Sequence, residues 1–300
     1  MKHLIVVLGP TGVGKTALSL TLAKKFSTPV ISADSRQIYK GIEIGTAAAT
    51  QSERTLAEHL FVGIKELDEY YSAGQFEQDV LEKLSDIFRH SDYALMVGGS
   101  MMYIDAVCNG MDNIPSVDNE IRKNVSEIFQ KQGLEGIRNL LQLLDSEHYK
   151  KVDLKNKQRL MHAVEVCLMT GKPYSSFLSA SKKARNFRII KIGLNREREE
   201  LYERINTRVE KMFALGLFEE AKQFYHLKDT NALNTVGYKE IYQYMDGVYP
   251  DIETVKKMIK QNSRHYAKRQ LTWFKRDSEI AWFHPDNING IISYIESCEK

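Results

Sequence analysis

The run Leu4-Ile-Val-Val-Leu8 leads without a spacer into Gly9-Pro10-Thr11-Gly12-Val13-Gly14-Lys15-Thr16, and no other stretch limits the fold of this chain so tightly. A short, continuous apolar segment rich in β-branched residues has the pattern of a parallel strand buried on both faces. The eight residues that follow form a full G-x-x-x-x-G-K-[ST] segment between that strand and a helix expected from Lys15. Its glycines let the loop's N–H groups converge on phosphate oxygens at a helix N-terminus. Lys15 adds a point charge, and the Thr16 hydroxyl can ligate Mg²⁺. The motif requires a bound di- or triphosphate and leaves the reaction open.

Strand patterns at Pro29-Val-Ile-Ser-Ala33, Tyr93-Ala-Leu-Met-Val97 and Phe187 to Leu194, with a helical stretch at 76–88, extend this to an α/β parallel sheet. Between Asn109 and Arg185 the pattern is helical only, at 119–132, 134–149 and 156–170. The last of these opens at Asn156 and stops at Gly171, with Pro173 beyond it. A helical block between two strands of one sheet reads as an insertion. The expected division is a core of residues 1–112 and 186–300 with an all-helical insert at 113–185. Further helices are expected at 196–214, 216–226, 237–246 and 254–276.

A chain of 300 residues, 43% apolar and 27% charged, can bury a sizeable core and is neither disordered, collagen-like nor disulfide-stapled. Cys108, Cys167 and Cys298 are odd in number and far apart, so neither a disulfide framework nor a local metal site is expected. No apolar run approaches the roughly 18 residues of a membrane span, and Leu4 to Leu8 is too short for a signal segment. The expectation is a cytoplasmic protein with no membrane partner. Net charge is +3, but it is unevenly spread: residues 1–100 carry a small acidic surplus, whereas 255–276 hold eight basic residues and no acidic one. That asymmetry fits either a polyanion partner or a solvated helix face.

Ser32-Ala-Asp34-Ser35-Arg36-Gln37-Ile-Tyr39 stands at the C-terminal end of the second strand, the edge that faces the ligand crevice in open α/β sheets. Asp34 there either accepts a proton from a substrate or caps the strand end in an Asx-turn, and Gln37 can pair with an adenine edge. Val97-Gly98-Gly99-Ser100 brings Ser100 to the same edge. The aspartate that a GTPase or motor ATPase places after such a strand is missing, as is an Asn-Lys-x-Asp guanine reader, which disfavours a switch GTPase. In the helix from Arg196, Leu201, Ile205, Val209 and Met212 form an apolar seam beside a basic row of Arg204, Arg208 and Lys211. The segment from Arg264 to Arg276 interleaves aromatic and cationic residues, with Trp273 and Phe274 expected in the core.

In order, GPTGVGKT, SADSRQIY, VGGSMMY, NKQRLMHAVEVCLMTGKP, LYERINTRVEKMFALGLFEEA, TVGYKE and RHYAKRQLTWFKR, within residues 4 to 276, closely resemble the bacterial form of the tRNA dimethylallyltransferases. The resemblance implies a P-loop NTPase-like core that transfers a dimethylallyl group from dimethylallyl diphosphate to N6 of the adenosine 3′ of the anticodon, releasing diphosphate. It implies that Gly9 to Thr16 hold the donor diphosphate, with Mg²⁺ at Thr16. Asp34, Ser35, Arg36 and Gln37 would read and activate the adenosine, with Asp34 as base. Ser100 occupies the family's usual Thr position and joins Asp34 and Lys15 in the catalytic set. Arg122, Gln158, Arg159, Leu160, Met161 and His162 would contact the tRNA anticodon arm, and Val236 to Glu240 form a further RNA-facing stretch. Arg204 and Arg208 are candidate phosphate contacts. The target base would leave its stack and enter a channel between the sheet edge and the insert of a monomeric protein.

Three segments depart from the family pattern: Gly45-Thr-Ala-Ala-Ala49 with Glu58-His59, Gly98-Gly-Ser-Met-Met-Tyr103, and Val152-Asp-Leu-Lys-Asn156. The family's C-terminal zinc-finger extension is not found, as in its shorter members. Read without the resemblance, the residues also suit a small-molecule kinase, with ATP in the loop and Asp34 activating an acceptor hydroxyl, or a nucleotide-dependent RNA-binding switch.

Overall fold

The computed structural model describes residues 1–112, 114–115, 117–178 and 183–298. It divides into two compact units, Met1–Asn109 with Ala184–Lys300, and Gly110–Lys183. The second unit thus starts and ends slightly earlier than the expected 113–185, and residue 113 itself lies outside the described residues.

The first unit begins with β1 (His3–Leu8), α1 (Lys15–Phe26), β2 (Val30–Ala33), the short helices α2 (Glu43–Thr46) and α3 (Gln51–Leu56), and β3 (His59–Leu60). It continues through α4 (Ala73–Ile87), β4 (Tyr93–Gly98) and α5 (Met101–Asn109). The second unit holds α6 (Asn119–Leu144), α7 (Ser146–Lys151) and α8 (Lys157–Thr170). The chain then completes the first unit with β5 (Arg188–Leu194), α9 (Arg198–Ala214), α10 (Leu217–Gln223), α11 (Tyr238–Met245), α12 (Ile252–Phe274), β6 (Ala281–Phe283) and α13 (Ile288–Ser297).

The strands form one sheet in the order β3-β2-β4-β1-β5-β6, with every adjacent pair parallel. This is the P-loop NTPase-like α/β core expected from the sequence. β1 lies inside the sheet because its side chains are apolar on both faces: Leu4, Val6 and Leu8 enter one core cluster, Ile5 and Val7 the other. Each such burial is worth about 1.5–3 kcal/mol, which an edge strand could not collect on both faces. The two strands missed by sequence, β3 and β6, are two and three residues long, too short to show a period.

The register sets the functional edge. Leu8 lies opposite Gly98 and Gly193, and Ala33 opposite Gly98, so the segments leaving β1, β2, β4 and β5 emerge from the same side of the sheet. Gly98 permits this closeness, since a Cβ there would overlap the Ala33 carbonyl.

The second unit packs around Val125, Ile137, Leu141, Leu160, Ala163 and Val164. Gly133 interrupts α6 at φ 65 and ψ −162, where the sequence separates two helices. The second of these ends at Leu144 and not at 149, because the buried Asp145 carboxylate caps α7. It accepts from His148 N at 2.9 Å, Ser175 N at 2.6 Å and Ser175 Oγ at 3.0 Å. These bonds hold its carboxyl below the usual range although burial opposes them. Among the described residues no helix is long and apolar enough to cross a membrane, and all three cysteines are free.

Candidate active site

The phosphate loop occupies the turn between β1 and α1. Gly12 and Gly14 adopt φ values of 81 and 113, which only glycine takes readily, and Gly14 caps α1 without a side-chain hydrogen bond. The first N–H groups of α1 therefore have no helical or capping acceptor, the condition for anion binding. The loop carbonyls, by contrast, are occupied by cationic side chains. Lys15 Nζ donates to Gly9 O at 2.9 Å and Pro10 O at 2.8 Å, Arg204 Nε to Gly12 O at 2.9 Å, and Arg196 Nε to Val13 O at 2.9 Å. With the carbonyls turned toward cations, the N–H groups at the start of α1 remain for an anion, while Thr11 N is held by Gln270.

Electrostatics point the same way. Burial and the Arg208 charge push the Lys15 ammonium down to about 7, with Asp34 partly opposing them. Burial likewise lowers Arg208, again against the pull of Asp34. Two cations thus share one carboxylate in a poorly solvated place, and an added anion relieves the surplus.

The loop forms one wall of a cavity of about 1190 Å³, whose other walls include Asp34 to Gln37, Gly45 to Ala47, the basic row Arg204, Arg208 and Lys211, and the α12 residues Asn262, Tyr266, Arg269 and Gln270. Sites for one drug-sized ligand run to roughly 1,000 Å³, so there is space here for a diphosphate together with a second group. Asp34 makes the Asx-turn: Oδ1 accepts from Arg36 N at 2.9 Å and Gln37 N at 3.4 Å. The turn and a proton-accepting role are compatible, because these bonds fall on one oxygen of a carboxylate that also lines the cavity.

Several residues act from behind the wall. Ser100 is buried; its Oγ accepts from Ser35 N at 2.8 Å and donates to Ser35 Oγ at 3.2 Å. The cavity wall on this strand is Gly99, and the Ser100 hydroxyl shapes the Asp34 turn through Ser35. The expected role of Ser100 beside Asp34 and Lys15 is thus joined by a structural one, the support of this turn. Gln37 lines the cavity, with its amide engaged inside the protein. Its Oε1 accepts from Ser32 Oγ at 3.0 Å, and Nε2 donates to the Thr46 and Ala47 carbonyls, each at 3.2 Å. Nε2 thereby holds the C-terminal end of α2, and Oε1 ties the side chain to β2. Glu220 secures the same segment, accepting from Ile44 N and Gly45 N at 2.8 Å each and from the Tyr238 hydroxyl. Of the segment 45–49, Gly45, Thr46 and Ala47 line the cavity.

In the second unit Leu160 is fully buried in the helical core and has no surface to offer RNA, and Met161 packs partly against the same core. Gln158 and Arg159 are exposed on α8, while Arg122 and His162 are half-buried. Of the basic-region residues, Trp273 donates through Nε1 to Asp105 at 2.9 Å and Phe274 is buried, both packing as expected.

Sequence reasoning missed Arg196, Tyr266 and Gln270, and it placed Glu240 in an RNA-facing stretch, whereas its side chain is buried. Arg196 follows β5 at the functional edge, so the rule that selected Asp34 applied to it too. Glu240 is buried and accepts from Gly237 N at 2.7 Å and Asn262 Nδ2 at 2.6 Å, shaping the loop before α11. Burial and the Asp34 charge raise the Tyr266 phenol to about 12, so it remains a hydrogen-bond donor beside Asp34 and Ser100. Its spacing from Gln270, one helical turn, is the only local sign that both face the cavity.

A parallel sheet with this loop at β1 and a cavity across its C-terminal edge defines a P-loop NTPase-like protein. The model of the IPP transferase family matches residues 37–277. The chain is 53% identical over 294 residues to tRNA dimethylallyltransferase 1 of Phocaeicola vulgatus, covering 98% of both, and 51% identical to that of Bacteroides fragilis over 100% and 99%. Among solved structures it is similar to the full-length tRNA isopentenylpyrophosphate transferase of Bacillus halodurans, at TM-score 0.71 and 32% identity over 99% and 98% of the chains. A eukaryotic dimethylallyltransferase acting on tRNA matches at TM-score 0.82 and 26% identity, over 95% of this chain and 74% of that one. The chain belongs to the IPP transferase family, the enzymes that include the tRNA dimethylallyltransferases.

Proposed function

We propose that the protein transfers the dimethylallyl group of dimethylallyl diphosphate to the N6 amine of the adenosine 3′ of a tRNA anticodon and releases diphosphate. The observation that carries this reading is one cavity in which a cationic phosphate loop, Lys15 and Arg208 lie beside the carboxylate of Asp34. The loop N–H groups, Lys15 and Arg208 bind the diphosphate and stabilise the charge that grows on it as the C1–O bond breaks. N6 attacks C1, and Asp34 accepts the proton the amine loses. A base placed in this way contributes about 10²- to 10⁴-fold.

Mg²⁺ fits at Thr16, an exposed residue on the cavity wall next to Lys15. Among the described residues no cluster of three His, Cys, Asp or Glu side chains offers a dedicated cation cage, so an ion would be shared between Thr16, diphosphate oxygens and water. It would neutralise charge on the leaving group. Arg122, Gln158, Arg159 and His162 are proposed to meet the anticodon arm.

The test supplies unmodified tRNA with either dimethylallyl diphosphate or ATP and analyses the nucleosides by mass. Dimethylallyl-adenosine with the first donor is expected. ATP hydrolysis or phosphoryl transfer without a prenylated base would replace this reading with the kinase.

A further inference from the structure

Gln270 is 1% exposed, and both ends of its amide are committed. Its Oε1 accepts from Thr11 N in the phosphate loop at 2.8 Å, and its Nε2 donates to Gly99 O, just beyond β4, also at 2.8 Å. A Cβ at Gly99 would overlap Nε2, so glycine at that position is what admits the amide.

We propose that Gln270 is a positioning residue for the donor diphosphate, resting on the function proposed above. The phosphate loop has wide conformational freedom at Gly12 and Gly14, and its anion affinity depends on several N–H groups pointing at one place. Gln270 holds the Thr11 N–H against a fixed acceptor and ties that point to the edge of β4. This sets the direction in which the remaining N–H groups face. The other braces on the loop, from Arg196 and Arg204, grip carbonyls; Gln270 grips an N–H. It is itself fixed by α12, which is anchored in the cores through Val255, Ile259, Ala267 and Phe274. Loss of the brace leaves a poorly solvated N–H without its partner and lets the loop rotate, and both effects fall on the diphosphate.

The experiment compares the parent protein with Gln270→Met, close in size but lacking both bonds, and with Gly99→Ala, which breaks the same contact from the other side. Calorimetry with inorganic diphosphate, KM for dimethylallyl diphosphate, kcat, tRNA affinity and the thermal midpoint are measured for each. Gln270→Met should lose about ten- to hundredfold in diphosphate affinity and raise the donor KM similarly, with tRNA affinity retained. Unchanged diphosphate affinity in a folded Gln270→Met variant overturns the proposal, as does an equal loss of tRNA and diphosphate binding. Should Gln270→Met not fold, Gly99→Ala carries the same expectation. Inorganic diphosphate reads the loop alone. A parent protein that forms no prenylated adenosine, with variants that still lose diphosphate affinity, would reject the reaction and keep the brace.

Discussion

Donor binding should take up a proton at Lys15. In the free protein burial and the Arg208 charge hold its ammonium at about 7, against an ordinary 10.5. About half of the molecules therefore carry the charge at pH 7, and about one in a hundred at pH 9. A bound diphosphate restores the ammonium toward its ordinary value, so the complex holds more protons than the free protein from about pH 7 upward. By linkage, affinity is full below pH 7 and falls as pH rises through it, by about tenfold per unit. Between pH 7 and 9 this amounts to about 50-fold, or ~2.3 kcal/mol. Calorimetry with dimethylallyl diphosphate, repeated in buffers of different ionisation enthalpy, reads both affinity and proton uptake. Lys15→Arg provides the reference, since a guanidinium stays charged throughout while the ligand's own ionisation is common to both proteins. Equal pH slopes in the two proteins, or proton release on binding, would refute the argument.

Asp34→Asn preserves the Asx-turn acceptor but cannot take a proton, and should slow single-turnover prenylation about 10²- to 10⁴-fold with tRNA affinity retained; a near-parental rate removes Asp34 as base. Leu160→Ala should cost about 2–5 kcal/mol in urea unfolding, whereas Arg159→Ala should leave stability intact and lower the salt dependence of tRNA binding by about one phosphate contact. Glu220→Gln should loosen residues 43–47, lowering stability by about 1–3 kcal/mol and speeding amide exchange at Ile44 and Gly45. Chelation of Mg²⁺ should slow transfer and weaken diphosphate binding, and a Thr16→Ala variant should respond less to added Mg²⁺ than the parent does.

The sheet and its phosphate loop were legible because their signals are local. Leu4 to Leu8 and Gly9 to Thr16 each state their conformation within a few residues, and the strand-end rule then brought Asp34 to the right edge. Side chains that act at a distance were not legible: Gln270 sits in a basic run with nothing nearby to mark it as buried. The error at Leu160 arose from treating Gln158 to His162 as a continuous surface. A helix turns Leu160 inward while Gln158 and Arg159 stay exposed, so a contiguous stretch cannot be a contiguous face. The partners of the Gln37 amide were hidden for a related reason. A free amide suits an adenine edge, but here it meets the Thr46 and Ala47 carbonyls, and no pattern in the sequence announces a turn that brings them there.

Gln270, Arg196 and Arg204 reach Thr11, Val13 and Gly12 across 259, 183 and 192 residues of chain. The phosphate loop therefore leaves the ribosome well before the residues that complete it. A nascent chain halted before α12 carries the whole motif, with its strand and helix, but lacks the brace on Thr11. Domains generally fold as units during synthesis, and here the order of synthesis separates possession of the motif from possession of the site. Fragments cut ahead of residue 270 should therefore bind inorganic diphosphate more weakly than the full chain, although they hold the complete motif.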